Sequence, residues 1–321
     1  MIHMLETSYI PKLDRSVTRL GLGALPMGPI QRALSPQRGA EVVRSAVEKG
    51  INFIDTATMY RTYEHIARGL KGWKGEVTIA TKSHAQKDRS SAEKHITLAL
   101  NGLGREAIDI MLCHCGRTPF TEELWGPTLD ALLAARQKGL IRMVGISSHS
   151  IQGVRDAARN PEIDVIHPLI NMKGMGIIDG TADDMLHAIR GAHSAGKFIY
   201  AMKSLAGGNF VPEREKALRF VFDQSGIDAV AVGMVTPLEV EWNVRFASGL
   251  PISEELSQKT SLNSKRLNIL EIICTGCGEC MEHCENQAIS LVDGKAKVDH
   301  ELCILCGYCA PHCERLAIRF V

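Results

Sequence analysis

The sequence predicts an α/β fold, a (β/α)₈ TIM barrel that is followed by a small α+β module. Three observations support this prediction. Short apolar segments alternate eight times with longer amphipathic ones between residues 19 and 249, which is the pattern of parallel strands joined by helices. Eight of the ten cysteines lie between Cys274 and Cys313. The length of 321 residues is more than one ordinary domain and suffices for a large barrel plus a small module.

Each predicted strand is a short apolar segment between turn residues. The eight strands are Arg19–Leu25, Ile51–Ile54, Val77–Lys82, Ile108–Cys113, Ile141–Ile146, Val165–Pro168, Phe198–Met202 and Ala229–Val232. Each predicted helix has apolar residues at helical spacing. The eight helices are Gln37–Glu48, Glu64–Leu70, Ser91–Asn101, Thr128–Lys138, Ile151–Ala158, Ala182–His193, Glu215–Asp223 and Leu238–Phe246. Eight strand–helix units within about 230 residues match a barrel more closely than a doubly wound sheet.

The remaining segments define the domain organisation. Tyr9–Val17 precedes the first strand and is predicted to be a hairpin that closes the bottom of the barrel. Residues 251–267 are polar and rich in serine, which predicts a flexible linker. We therefore expect a barrel at residues 1–250 and a separate module at residues 268–321.

Composition narrows the class of function. The chain is 45% apolar and 23% charged, as in ordinary globular proteins. Its net charge of +1 gives no field that would attract nucleic acid or an anionic membrane. No apolar segment approaches the roughly 18 residues of a spanning helix, and no signal peptide is visible. We expect a cytoplasmic protein that binds neither nucleic acid nor membrane.

The module contains an internal repeat of cysteines. Both halves have the spacing C-x-x-C-x-x-C-x-x-x-C, followed by a short β segment at Ala288–Val292 or Leu316–Val321. Asp293-Gly294 lies between two β-favouring segments and predicts a hairpin turn. The cysteines are Cys274, Cys277, Cys280 and Cys284 in the first half, and Cys303, Cys306, Cys309 and Cys313 in the second.

This repeat resembles a bacterial two-cluster ferredoxin over all of its roughly 50 residues. The resemblance implies a ferredoxin-like domain with two 4Fe–4S clusters, because three thiolates of each run hold one cube and the fourth reaches the other cube. One cluster would be held by Cys274, Cys277, Cys280 and Cys313, the other by Cys303, Cys306, Cys309 and Cys284. Zinc ligation and disulfides are the alternatives.

Four polar residues fall at or just beyond the ends of successive predicted strands. Asp55 and Tyr60 follow the second strand, Lys82 ends the third, and His114 follows the fourth. The carboxyl ends of barrel strands form the face where barrel enzymes place their catalytic residues. This set resembles the catalytic tetrad of the aldo-keto reductases, over roughly residues 15–249. Val144–Ser148 and Gly233–Asn243 match further sequence signatures of that family.

The resemblance and the chemistry of these residue types imply the same roles. Tyr60 would be the general acid–base of carbonyl reduction, and a Lys82 ammonium near its oxygen would lower the tyrosine pKa. Asp55 would keep Lys82 charged and in place. His114 would donate a hydrogen bond to the carbonyl oxygen as charge develops there.

The resemblance also implies NADH or NADPH as a cofactor. The residues at the family's cofactor positions are Ser147, Ser148, His167, Met202, Lys203, Leu205, Gly233, Thr236, Glu239 and Asn243. In the family a serine–asparagine pair and a glutamine usually hold the nicotinamide amide; here Ser147, Ser148 and His167 occupy these positions. Met202 replaces the tyrosine that normally stacks on the nicotinamide ring. Glu239 would repel the 2′-phosphate of NADPH.

Three functions follow as hypotheses. The first is an oxidoreductase that interconverts a small-molecule carbonyl and an alcohol at Tyr60, with two clusters that relay electrons. In the second, the nicotinamide site is degenerate and the clusters deliver electrons to the substrate. In the third, the barrel is a scaffold and the chain is an electron-transfer subunit for a redox partner protein. The tetrad argues against the third, because a scaffold does not need these four residues together.

Overall fold

The structure is a computed structural model that describes residues 5–261, 265–284, 286–303, 305 and 307–321. The amino-terminal hairpin is β1 (Thr7–Ile10) and β2 (Arg15–Thr18). The barrel strands are β3 (Leu20–Gly23), β4 (Phe53–Asp55), β5 (Thr78–Ser83), β6 (Ile108–Gly116), β7 (Ile141–Ser148), β8 (Val165–Pro168), β9 (Phe198–Ala201) and β10 (Ala229–Gly233). The helices that follow them are α1 (Pro36–Glu48), α2 (Tyr63–Leu70), α3 (Arg89–Leu103), α4 (Glu122–Gln137), α5 (Ile151–Arg159), α6 (Ala182–Ser194), α7 (Arg214–Phe222) and α8 (Pro237–Ala247).

Strands β3 to β10 pair in parallel and close into a barrel, with β10 against β3. The predicted fold class is confirmed, and all eight predicted strands and helices are present. The largest difference is α4, which begins at Glu122 instead of Thr128. Pro127 lies inside this helix, but Trp125 is buried and its Nε1 donates to the Pro119 carbonyl at 3.0 Å. This burial extends the helix across the proline.

Apolar side chains fill both the barrel interior and the layer beneath the helices. Phe53, Leu112 and Tyr200 are among the residues that pack inside the barrel. The hairpin β1–β2 adds Ile10 and Val17 to this interior cluster. The predicted hairpin is therefore confirmed as the cover of the barrel's lower end. The opposite, carboxyl-terminal end of the strands remains available for polar residues.

The predicted linker is not a free coil. Helix α9 (Glu254–Lys259) lies within residues 251–267, and the Ser253 hydroxyl caps it by accepting from the Leu256 amide at 3.2 Å. Arg214 on α7 donates to the carbonyl of Thr260 at 2.7 Å. A serine-rich composition favours a linker but also supplies helix caps, and contacts with the barrel helices fix this segment.

The carboxyl-terminal module consists of β11 (Leu267–Ile269), α10 (Glu279–Glu282), β12 (Ile289–Val292), β13 (Lys295–Val298) and β14 (Ile318–Phe320). Strand β11 pairs with β14, and β12 with β13. Asp293 and Gly294 have φ values of 52° and 71°, as a type I′ hairpin turn requires, so this turn prediction is confirmed. In the part of the chain that the structure describes, no helix has the length and apolarity needed to cross a bilayer.

The module packs against the carboxyl-terminal face of the barrel. Arg117, in the loop after β6, donates to the Glu314 carbonyl at 3.0 Å. Arg32, in the loop after β3, donates to the backbone oxygen of Val321 at 3.0 Å. Gly208 approaches β14 so closely that a Cβ there would lie 2.1 Å from the Phe320 oxygen. The two units therefore share a surface at the face that presents Asp55, Lys82 and His114.

Candidate active site

The parallel register of the barrel brings the four tetrad positions to one face. Asp55 ends β4, whereas Lys82 and His114 lie near the ends of β5 and β6. A 3₁₀ turn at Thr58–Tyr60 directs Tyr60 back over these ends. The Ala24 amide donates to the Asp55 carbonyl at 2.8 Å, which fixes the end of β4. The structure thus brings together residues that are up to 59 positions apart in the sequence.

Asp55 and Lys82 form a buried ion pair. The Lys82 Nζ donates to Asp55 Oδ1 at 2.5 Å and to the Thr56 carbonyl at 2.9 Å. The Tyr200 hydroxyl donates to the same carboxylate oxygen at 2.9 Å. Burial lowers the pKa of Lys82, and the Asp55 carboxylate opposes that shift. The pair holds the lysine charge in the barrel without exposing it to solvent.

Tyr60 lies above this pair and beside His114. The Lys82 Nζ is 5.1 Å from the centre of the Tyr60 ring, and the Tyr60 and His114 rings meet edge to face with centroids 5.7 Å apart. Asp55 and Lys82 are hydrogen-bonded, but in the described residues no hydrogen bond joins the Tyr60 hydroxyl to another tetrad residue. The four tetrad residues therefore lie close together, but among the described contacts between them the hydrogen bond is the one from Lys82 to Asp55.

The pKa of Tyr60 differs from the sequence-based expectation. Burial raises it well above the ordinary value of 10, the Asp55 carboxylate raises it further, and the Arg319 guanidinium lowers it. Lys82 was expected to lower this pKa. Asp55, at 2.5 Å from the ammonium, offsets part of its charge, and burial of the phenol outweighs what remains. Tyr60 is thus protonated near neutral pH, as a proton donor must be.

His114 is neutral near pH 7. Burial and then the nearby Lys82 ammonium lower its pKa from 6.5 to about 3. A neutral imidazole retains one N–H group that can donate to a substrate oxygen. The predicted hydrogen-bonding role is compatible with this protonation state.

The residues at the predicted cofactor positions divide into two groups. One group lines a cavity that also contains Asp55 and Tyr60; its members are His167, Met202, Lys203, Leu205, Gly233 and Glu239. Members of the other group are engaged in local structure: Thr236 caps α8, the Asn243 amide donates to the Glu239 carbonyl at 2.8 Å, and the Ser148 hydroxyl donates to the Ser150 carbonyl at 3.2 Å. Ser147 is buried, and within the described residues its hydroxyl has no hydrogen-bond partner.

The carboxyl-terminal module forms part of the wall of this cavity. Phe320 and Val321 of the module line it together with Lys265 of the preceding linker, and Lys265 forms an ion pair with Glu239. The cavity volume is about 130 Å³, whereas ligand pockets typically measure about 300–1,000 Å³. A dinucleotide therefore does not fit between the barrel and the module as they are packed here.

A second cavity, of about 460 Å³, is lined by Cys274, Cys277, Cys280 and Cys313. Burial, and then the thiols of Cys313, Cys274 and Cys277, raise the pKa of Cys280 to about 11. The four thiols thus lie close together in the combination that the ferredoxin resemblance implies. A cavity of this size, lined by four thiols, fits a polynuclear cluster, whose ligands are spread around a larger volume than those of a single ion.

Backbone amides also point at two of these thiols. Ala296 donates to Cys274 Sγ at 3.4 Å and Ala317 to Cys313 Sγ at 3.2 Å. Such hydrogen bonds tune the reduction potential of iron–sulfur clusters.

Three residues of the other predicted ligand set, Cys284, Cys303 and Cys309, line a separate cavity of about 20 Å³. Cys306 lies outside the described residues. These side chains must separate before a cube can fit.

The sequence-based reasoning missed Arg319 and the other module residues at the barrel face. Arg319 lies on β14, and its guanidinium is close enough to Tyr60 to change the pKa of that phenol. No local sequence signal indicates this proximity, because it depends on how two domains pack.

Comparisons with known proteins agree with this division into two units. A family model described as the aldo/keto reductase family matches residues 19–215, and a model described as a 4Fe-4S dicluster domain matches residues 273–318. The chain is similar to L-galactose dehydrogenase of Arabidopsis thaliana, with 27% identity over 284 residues, which cover 77% of this chain and 89% of the relative.

Solved structures give the same picture for the barrel. A putative aldo-keto reductase from Pseudomonas aeruginosa matches with a TM-score of 0.63 and 25% identity, over 76% of this chain and 95% of that chain. An aldo-keto reductase of Bombyx mori, solved in complex with NADP, matches with a TM-score of 0.59 and 16% identity, over 80% of this chain and 92% of that chain. The second likeness concerns the fold alone.

Proposed function

Because this chain belongs to the aldo/keto reductase family, we propose that it interconverts a carbonyl and an alcohol, with Tyr60 as general acid–base and two 4Fe–4S clusters as an electron relay. We propose a barrel at residues 1–250, a docked linker at 251–267 and a ferredoxin domain at 268–321. The free thiols of Cys274, Cys277 and Cys313 fit a reducing compartment, and we propose the cytoplasm.

The observation that best supports this proposal is the arrangement of Tyr60 and His114 above the buried Asp55–Lys82 pair. In the direction of reduction, Tyr60 donates its phenolic proton to the carbonyl oxygen. The raised pKa keeps that proton in place until the oxygen gains charge. Neutral His114 donates a hydrogen bond to the same oxygen.

The Asp55–Lys82 pair prepares the site for the phenolate that remains after proton transfer. Lys82 lies 5.1 Å from the centre of the Tyr60 ring and has no route to solvent. In a buried site, a fixed charge at this distance stabilises a new anion more strongly than it would in water. Asp55 keeps this charge in position at 2.5 Å.

Reduction of a carbonyl to an alcohol consumes two electrons and two protons; Tyr60 gives the proton that ends on oxygen, and water gives the proton that ends on carbon. Each bound 4Fe–4S cluster exchanges one electron at a time. The cavity that contains Cys313 lies on the same module as Arg319, whose guanidinium acts electrostatically on Tyr60. This proximity supports the proposal that one cluster site and the proton donor lie on either side of one packed surface.

A second candidate function is favoured by the size of the cofactor cavity. With Lys265, Phe320 and Val321 in its wall, the cavity of about 130 Å³ excludes a dinucleotide. In this version the nicotinamide site is degenerate, and the two electrons come from a redox partner protein through the clusters.

An anaerobic titration of the reconstituted protein with NADH and NADPH distinguishes the two versions. If either nucleotide reduces the clusters, their visible absorbance will bleach. If the site is degenerate, only a chemical or protein reductant will bleach them.

The role of Tyr60 is tested by mixing reduced protein with a panel of aldehydes and ketones. We expect carbonyl substrates to reoxidise the clusters, and Tyr60→Phe to slow this about 10²–10⁴-fold, the usual contribution of a general acid. Tyr9→Phe is the matched control, because Tyr9 is exposed and lies at the opposite end of the barrel. Equal rates in wild type and Tyr60→Phe, with a substrate that turns over, would refute the proposal.

A further inference from the structure

We propose that Arg319, on the last strand of the carboxyl-terminal module, is a substrate-binding residue of the barrel site. It selects carbonyl compounds that also have a carboxylate or phosphate group, such as 2-oxo acids or phosphorylated aldehydes. This inference rests on the proposed function, because it assumes that the substrate carbonyl lies beside Tyr60.

Arg319 is a buried cation without a carboxylate partner in the described residues. Its exposed fraction is 3%, and its Nη1 donates only to the carbonyl of the preceding residue, Ile318, at 3.0 Å. Its Nε is buried and has no hydrogen-bond partner within the described ranges. Burial of an unpaired charge is unfavourable unless something compensates it. This side chain therefore has the burial and the unpaired N–H donor that are expected of an anion-binding residue.

The guanidinium lies against the wall of the active-site cavity. A Cβ on Gly207, which lines that cavity, would lie 2.3 Å from Arg319 Cδ and 2.8 Å from its Nε. Only a glycine leaves room for the arginine at this point. Arg319 also acts electrostatically on Tyr60 and Lys203, which both line the cavity.

The charges around the cavity have an excess of positive sign. Asp55 and Lys82 neutralise each other, which leaves Lys203 and Arg319 without a carboxylate partner in the described part of the chain. Lys203 has a φ of 63°, a left-handed conformation that is rare for lysine and that tends to persist at functional sites. A buried guanidinium near a proton donor favours an anionic substrate, because its planar N–H groups bind carboxylate and phosphate well.

Two other anions compete for this role. One is a cluster at Cys313, whose thiol also acts on Arg319. The other is the pyrophosphate of a dinucleotide. Position favours the substrate, because Arg319 packs against Gly207 in the wall of the cavity that contains Tyr60.

The test measures equilibrium binding to the full-length, cluster-loaded protein under anaerobic conditions. Two matched pairs of probes differ in charge: pyruvate with methyl pyruvate, and glyceraldehyde 3-phosphate with glyceraldehyde. NADPH is the third arm. The variants are Arg319→Gln, Arg319→Lys and the control Arg266→Gln, which removes an exposed arginine beside β11. Iron content and cluster absorbance verify that each variant is folded.

We expect the wild type to bind at least one charged probe more tightly than its neutral partner. Arg319→Gln should weaken binding of that probe about 10–100-fold, the effect of one charge-assisted contact, and leave the neutral partner within about twofold. Arg319→Lys should restore part of the affinity, and Arg266→Gln should match the wild type.

Several results would overturn the inference: no binding of either charged probe by the wild type, equal weakening of charged and neutral probes, or a loss confined to NADPH. A shift of the cluster potential with unchanged probe binding would make Arg319 a counterion of the cluster instead. Binding does not depend on turnover. Selective binding without catalysis would therefore reject the proposed function and leave Arg319 only as an anion-binding residue. Catalysis without charge selection would reject the inference and leave the proposed function standing.

Discussion

Removal of Lys82 tests whether the buried ion pair is as constrained as its geometry indicates. In Lys82→Met the Asp55 carboxylate keeps the Tyr200 hydroxyl, at 2.9 Å, but loses the ammonium at 2.5 Å. The side chains are 0% and 7% exposed, so water cannot replace the lost partner. Breaking a buried pair in this way lowers the free energy of unfolding by about 3–5 kcal/mol. The double variant Asp55→Asn/Lys82→Met removes both charges and should recover at least about 2 kcal/mol of that loss.

The assay is urea unfolding of the cluster-loaded protein, followed by tryptophan fluorescence. Trp125 and Trp242 are 2% and 1% exposed and report on the barrel. Lys259→Met is the control, because it breaks an exposed pair with Glu255 and should cost less than about 0.5 kcal/mol. The reasoning is wrong if Lys82→Met costs no more than this control, or if the double variant is no more stable than Lys82→Met.

Three further predictions follow. The folded-state pKa of His114, about 3, lies below the ordinary 6.5, so its contribution to stability is complete above about pH 6.5 and is lost as pH falls toward 3. When the pH falls from 7 to 4, the free energy of unfolding should therefore decrease by about 1–3 kcal/mol less in His114→Gln than in the wild type. Urea titrations at each pH measure this. Parallel plots of unfolding free energy against pH for the two proteins would contradict the prediction. In iron and sulfide analysis, Cys274→Ser should retain about four of about eight irons, because one cluster loses a ligand. The control Cys113→Ser, at a buried apolar site, should retain all of the irons. Full retention in both variants would show that Cys274 is not a cluster ligand. Gly208→Ala would place a Cβ 2.1 Å from the Phe320 oxygen and should speed proteolytic release of the module. The control Gly191→Ala, whose Cβ would have no atom within 4 Å, should not. Equal cleavage rates would show that β14 does not pack against Gly208.

Much of the fold followed from local sequence. The alternation of apolar and amphipathic segments predicted every barrel strand and helix, because burial on one face fixes the periodicity of each element. The paired cysteine runs and the aldo-keto reductase tetrad were recognisable for a similar reason. The geometry of a 4Fe–4S cube imposes the spacing of the cysteines, and the ends of neighbouring barrel strands impose the spacing of the tetrad residues. The predicted linker failed in part, because a serine-rich composition does not distinguish a coil from a short capped helix that contacts α7.

The sequence by itself determined which residues have reactive chemistry: Asp55, Tyr60, Lys82, His114 and the eight module cysteines. The tertiary structure alone decided their electrostatic environment. Burial and the Asp55 carboxylate raise the pKa of Tyr60, in the opposite direction to the expectation from residue types. Packing of the module placed Arg319 and Val321, at the end of the chain, beside residues of the first barrel strands. Burial and long-range charge interactions arise only when distant segments of the chain pack together, and no local pattern in the sequence shows which segments will do so.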